Sequence, residues 1–320
     1  DRFTEIQKIH KEKSFKIGGL SIISTIIIVY LIIGELNEQI ILALVCIMPA
    51  FLFGFLEDVT FKISPKLRFF ATLFSSILLV SITGVIVKNI DISWLKLIFA
   101  TTYFPILFTI LGYTTLSNAI NFIDGVNGLA TGIATIVFLT LGILYLQAGE
   151  IEYFSFAMIC SGALFGFWLV NIISGRIFLG DGGSYATGLL IAWCGVDITI
   201  RSDISPWAIF FIIIYPASEI ILSVIRRLIK SKSIVEADNE HLHSFVFRIM
   251  KMRFKSTNIN ILNSCSGIII TFFGSLPCFY VVFFDFNYIK TIILSIFYFI
   301  FYLFFYYYLN KFYSKQNSTN

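Results

Sequence analysis

The chain has 320 residues, of which 58% are apolar and 13% charged, with a formal net charge of +4. Its mean hydropathy of +0.88 excludes an ordinary soluble domain. The apolar residues come in runs of about 20, the length that crosses a bilayer as a helix, and the alternation of a membrane barrel is missing. The expected fold class is therefore an all-α polytopic membrane protein.

In chain order, about ten transmembrane helices are expected. They cover residues 18–34, 39–56, 69–87, 95–117, 128–148, 153–173, 182–198, 207–225, 260–282 and 289–309. Pro105 should kink the fourth. The last two, from Ile261 onward, carry no motif and read as architectural. Cys46, Cys160, Cys194, Cys265 and Cys278 lie in or beside apolar runs without metal-binding spacing, so they read as packing residues without disulfides. With residues 1–17 on the cytoplasmic side, alternation puts 19 of the 23 Lys and Arg inside, as the positive-inside rule demands. The exceptions are Lys88, Lys96, Arg201 and Lys290.

Four polar stretches fall on that same side. They are 54–68 (GFLEDVTFKISPKLR), 118–132 (NAINFIDGVNGLATG), 171–184 (NIISGRIFLGDGGS) and 226–259, which contains EADNEHLHS. The second reads as a short loop at the membrane boundary. A helical turn there would set Asn118, Asn121 and Asp124 on one face, and Gly125 and Gly128 would let backbone approach a ligand. One such stretch alone would be a helix-capping loop. Four on one face imply one site on the cytoplasmic side.

Together, in order and from about Gly18 to Arg248, these stretches resemble the polyprenyl-phosphate N-acetylhexosamine-1-phosphate transferases, the MraY/WecA-like enzymes of glycosyltransferase family 4, and the short HLHS loop is closer to the WecA-like branch. The resemblance implies one integral membrane transferase domain over 1–320, and an eleventh span if a helix precedes Asp1. It implies transfer of a sugar 1-phosphate from a UDP-N-acetylhexosamine to undecaprenyl (polyprenyl) phosphate, with release of UMP, in the bacterial inner membrane. UDP-GlcNAc is the favoured donor, and a UDP-6-deoxy-hexosamine (QuiNAc or FucNAc) is the alternative. The product would begin an O-antigen, teichoic acid or other envelope glycan. Membrane lipids and a second copy of the chain are candidate partners, and no nucleic acid is expected. From another class, a lipid flippase is the rival, but it would place its polar groups at mid-depth.

Two anionic substrates need a bridging cation, and an Asp/Asn set without Cys suits Mg²⁺, with Mn²⁺ as substitute. By resemblance, Asp181 is the metal ligand and Asn121 reaches the same ion, with Asn118 in support. Glu57 and Asp58 match a paired Asp-Asp, Glu57 being a departure, and Asp124 matches the Asp of the catalytic loop. For Glu57 and Asp58, orienting and electrostatic roles suit better than strong base catalysis, because a phosphate monoester is already largely ionised at neutral pH. Gly125 is assigned to substrate binding, and Asn127, Asn171 and Phe178 to the nucleoside, Asn127 standing where many members have Asp. Asp238, His241 and His243 form D-x-x-H-x-H, with Ser244 replacing a further His; by resemblance the two His are catalytic, able to donate to a phosphate oxygen, and Asp238 binds substrate, while a Zn²⁺ site would lack a fourth ligand. Arg226 and Arg227 are assigned to substrate phosphates, although the positive-inside rule explains them as well. Glu219, where Asp is common, lies within a span, where a carboxylate is costly unless it lines a site.

Overall fold

The computed structural model describes residues 16–33, 37–230, 240–284 and 287–317. Fifteen α-helices follow one another there: α1 (Gly18–Ile33), α2 (Glu38–Cys46), α3 (Met48–Thr60), α4 (Pro65–Thr83), α5 (Lys96–Phe99), α6 (Tyr103–Ile123), α7 (Leu129–Gln147), α8 (Ile151–Ser174), α9 (Gly180–Arg201), α10 (Pro206–Ile212), α11 (Ile214–Ile229), α12 (Leu242–Arg253), α13 (Ile259–Gly274), α14 (Leu276–Phe283) and α15 (Tyr288–Asn317). Among the described residues, eight helical stretches are long and apolar enough to cross a membrane, with α2–α3 and α13–α14 each counting as one. The bent pair α10–α11 makes nine, and α1 is a shorter apolar helix of 16 residues. Each span expected from the sequence overlaps one of these segments.

The bundle is built around α9. Seventeen of its 22 residues are buried. Its glycines let other helices approach to backbone contact: Gly182 faces Gly54 of α3, Gly183 faces Gly19 of α1, and Gly188 faces Ser117 of α6. In a bilayer such small-residue contacts replace the hydrophobic drive that lipid tails cannot supply.

Three expectations change. The fourth span is not 95–117: residues 96–99 form the short α5, and α6 runs from Tyr103 to Ile123. Pro105 therefore sits in the first turn, where its missing N–H breaks no helical bond, so no kink follows. The stretch 118–132 is mostly helix. Asn118 lies inside α6 because its amide donates to the Thr114 carbonyl (2.8 Å) and to Thr72 Oγ1 (3.2 Å), and only 124–128 form a loop. The stretch 226–259 contains helix α12, which buries Leu242, Phe245 and Phe247.

Helices α10 and α11 meet at 77°. Pro216 explains the break, because its ring collides with the carbonyl four residues back, at Ile212, and α10 ends there. The bend carries Glu219 of α11 into the bundle, fully buried.

Candidate active site

The polar stretches converge at one end of the bundle. Asp58, in the last turn of α3, accepts hydrogen bonds from the backbone N–H groups of Asp181 and Gly182, both at 3.0 Å. Helix α9 has no side-chain cap of its own, so a carboxylate from α3 satisfies its first N–H groups and meets the positive end of its dipole. Gly180 has φ +76°, and an added Cβ would lie 2.5 Å from Asp58 Oδ2, so only glycine fits. Lys16 Nζ stands 3.8 Å from Asp58 Oδ1.

The capped helix presents Asp181. Its carboxylate pairs with Arg68 of α4 and accepts from Asn121 Nδ2 at 3.0 Å, and the same amide donates to Ser184 Oγ at 2.9 Å. Asp124 follows directly after α6. Burial pushes its carboxyl up to about 7, with Asp58 adding to the rise, while Lys16 and the Gly180 N–H pull it down. Three carboxylates, two cations and an amide thus share one recess.

A second wall comes from α11 and α12. His241 and His243 stack in parallel with centroids 5.2 Å apart. His243 Nε2 packs against Gly125, where a Cβ would collide with it. His241 lies 5.9 Å from Phe122, and the Arg227 guanidinium covers that same ring at 5.3 Å. Arg226 approaches Glu240 at 3.8 Å, and Lys230 binds Glu240 at 2.7 Å, so these cations are partly neutralised locally.

Other sequence candidates lie elsewhere. Glu57 accepts from the Ile63 N–H at 2.7 Å and closes the turn after α3, where Phe61 is left-handed. Asn127 is 1% exposed, its N–H donating to Asn263 Oδ1 at 2.7 Å and its amide to Ser264 Oγ at 3.2 Å. Asn171, also buried, accepts from Gly128 N–H and donates to the Ile177 carbonyl, both at 2.6 Å. These two Asn fasten the 124–128 loop from behind. Phe178 is half-buried, and its carbonyl anchors the start of α1 through Gly18 N–H at 3.0 Å. Asp238 lies outside the described residues. Sequence reading left out Lys16, Arg68 and Ser184 as site residues, and Asn263 and Ser264 as supports. Arg68 closes the first polar stretch, which was a signal; nothing local marks Asn263, whose partner is 136 residues away.

Among the described residues, no three His, Cys, Asp or Glu side chains converge as a metal cage. Mg²⁺ does not need one, since it commonly takes one or two carboxylates and completes its shell with water and substrate phosphate. Here Asn121 turns its Nδ2 and not its oxygen to Asp181, and Arg68 pairs with the same carboxylate, so both side chains would have to turn to admit an ion. The Asp181 carboxylate, together with the Asn121 oxygen once that amide has turned, is of the hard-oxygen chemistry that Mg²⁺ takes.

A bundle of this many long apolar helices defines a polytopic membrane protein. Residues 40–199 match the family model described as glycosyl transferase family 4, and the chain belongs to that family. It is 27% identical over 245 residues to the probable undecaprenyl-phosphate N-acetylglucosaminyl 1-phosphate transferase of Bacillus subtilis (strain 168), covering 74% of this chain and 66% of that protein. It is 28% identical over 240 residues to the undecaprenyl-phosphate alpha-N-acetylglucosaminyl 1-phosphate transferase of Yersinia pestis, covering 72% and 65%. It is 29% identical over 238 residues to the phospho-N-acetylmuramoyl-pentapeptide-transferase of Clostridium perfringens (strain 13 / Type A), covering 71% and 74%. The matches thus span just under two thirds of the first two relatives.

Proposed function

We propose that the protein transfers N-acetylhexosamine 1-phosphate, with GlcNAc the favoured sugar, from a UDP-sugar to undecaprenyl phosphate, releasing UMP. The observation that carries this is the recess holding Asp58, Asp124 and Asp181 beside Lys16 and Arg68. Bare carboxylates would repel both substrates, and these cations offset that. The family and the names of the relatives supply the substrate classes. The end of the bundle that holds the site would face the cytoplasm, since most Lys and Arg then lie inside.

Asp181 and Asn121 would hold Mg²⁺ or Mn²⁺, which neutralises phosphate charge. Arg68 would then turn from Asp181 to a phosphate oxygen, for which its fork is suited. Asp58 keeps α9 capped and so fixes Asp181. Asp124, whose carboxyl is pushed up to about 7, can take the proton from the minority of lipid phosphate that still carries one, before that oxygen attacks. There is little covalent work to do beyond holding the phosphates in line.

Purified protein in detergent with undecaprenyl phosphate, Mg²⁺ and a panel of radiolabelled UDP-sugars tests this. The expected result is one lipid-linked product with an equal yield of UMP. No lipid-linked product with any UDP-sugar, together with movement of lipid across liposomes that needs no UDP-sugar, would replace the transferase with a flippase.

A further inference from the structure

Glu219 has no exposed surface and lies on α11, which packs against α6, the helix that ends at Asp124. A carboxylate in such a place is costly unless every lone pair has a donor. Here each oxygen is used. Oε1 accepts from the Tyr215 hydroxyl and from the Leu242 backbone N–H, both at 3.1 Å. Oε2 faces His241 Nδ1 at 3.0 Å. Leu242 is the first residue of α12, and His241 at its N-cap makes no side-chain cap. Glu219 therefore caps the helix and grips the histidine at once.

We propose that Glu219 is a positioning residue that holds His241 in the Nδ1–H tautomer and turns its Nε2 toward a substrate phosphate. This rests on the transferase reading above. The chemistry is that of an acceptor-only carboxylate: an ionised Glu219 can meet Nδ1 only if that nitrogen carries hydrogen, and the bond made by one ring nitrogen sets the state of the other. The ring has no rotational play. His243 lies flat against one face, and Phe122, beneath Arg227, borders it. The wall that presents His241 also carries His243, which rests on Gly125 beside Asp124. The same plan holds α9, where Asp58 caps the helix that presents Asp181. A buried acid on one helix thus sets the working residue at the start of another, twice.

Glu219→Gln makes the inference testable, because the two acceptor positions are not alike. Oε1 faces two donors, so the glutamine carbonyl must take that place and its NH₂ must face His241. Nδ1 then has to accept, and the ring is forced into the Nε2–H tautomer. The chain has only three histidines, His10, His241 and His243, so nitrogen-15-labelled histidine with His10→Gln and His243→Gln variants assigns the ring signals. The wild type should show His241 protonated at Nδ1, and Glu219→Gln should show it protonated at Nε2. With the UDP-sugar, kcat of Glu219→Gln should fall by about a hundredfold or more with KM unchanged, and Glu219→Asp should keep the Nδ1–H signal and recover part of the rate. A wild-type His241 protonated at Nε2 overturns the proposal whether or not any variant folds. So does a Glu219→Gln protein that turns over like the wild type. The ring spectra need no turnover, so a protein lacking transferase activity would sink the functional reading while the tautomer was still decided.

Discussion

Asp124 sits where its charge is costly. Its folded-state value of about 7 lies above the ordinary carboxylate value of about 4, so the folded protein binds this proton more tightly than the unfolded chain. The sign follows: the group's contribution is full below about pH 4 and is lost as pH rises toward about 7. Melting of metal-free protein in detergent should therefore show a stability decline over that range, and Asp124→Asn should flatten it. An unchanged decline in the variant would assign it to another group. Asp58 and Asp181 should both be needed, for different physical reasons. Asp58→Asn puts an amide N–H against one of the two N–H groups it now caps, costing about 1 kcal/mol of stability as well as activity. Asp181→Asn leaves both caps in place but removes one charge from an ion pair whose side chains are each only 15% exposed, so it should lower stability through the uncompensated Arg68 while turnover disappears. Near-full turnover in a folded Asp181→Asn protein would remove the metal assignment.

Helices at the C-terminal end of the chain do more than their composition suggests. Sequence reading took everything from Ile261 onward as architectural. Yet Asn263 and Ser264 of α13 fasten Asn127, and Tyr306 of α15 lies under the Arg226 guanidinium at 5.2 Å. Gly267 carries the sharpest consequence, because a methyl there would overlap the Asn127 carbonyl oxygen. Neither backbone can yield, so Gly267→Ala should cost about 1–3 kcal/mol or more and loosen the 124–128 loop. Gly162→Ala and Gly166→Ala on α8 meet nothing within 4 Å and should be near neutral. Hydrogen exchange across 124–128 distinguishes the cases, and equal protection in Gly267→Ala would show that the loop does not depend on α13. What was legible in the sequence follows the same physics. Apolar runs and the Asp, Asn and His motifs are local signals, so the spans could be read from them, and so could several of the polar residues that the structure gathers at one end of the bundle. The inward duty of Asn127 and Asn171 could not, because a polar side chain beside a glycine looks the same whether it faces a ligand or a partner helix. Nor could the break before Pro216 be placed, since proline in a span either kinks a helix or starts one, and only the packing decides.

Across the whole molecule, α9 joins two polar ends. At one lies Asp181. At the other, Arg201 binds Asp197 at 2.7 Å and Glu150 at 3.3 Å, and its guanidinium lies 3.8 Å over the Tyr153 ring. Tyr145 adds a hydrogen bond to Asp197 at 3.0 Å. Arg201 is one of the four basic residues on the side opposite the site, and these partners account for it: a paired, stacked arginine does not weigh on orientation as a solvated one does. Lys230 at the site end is paired too, with Glu240 at 2.7 Å, so orientation rests on the count of Lys and Arg and not on single pairs. The two ends should therefore face opposite sides of the membrane, with the site inside. Single cysteines at positions 230 and 150, in a protein whose five native cysteines have been replaced, check this. Four of those five are buried, so replacement by small apolar residues should be tolerated. An impermeant thiol reagent added to intact cells should label position 150, while position 230 should react only after permeabilisation. Labelling of position 230 in intact cells would invert the protein and place the phosphate recess where no UDP-sugar arrives from the cytoplasm, and the proposed reaction would fall with it.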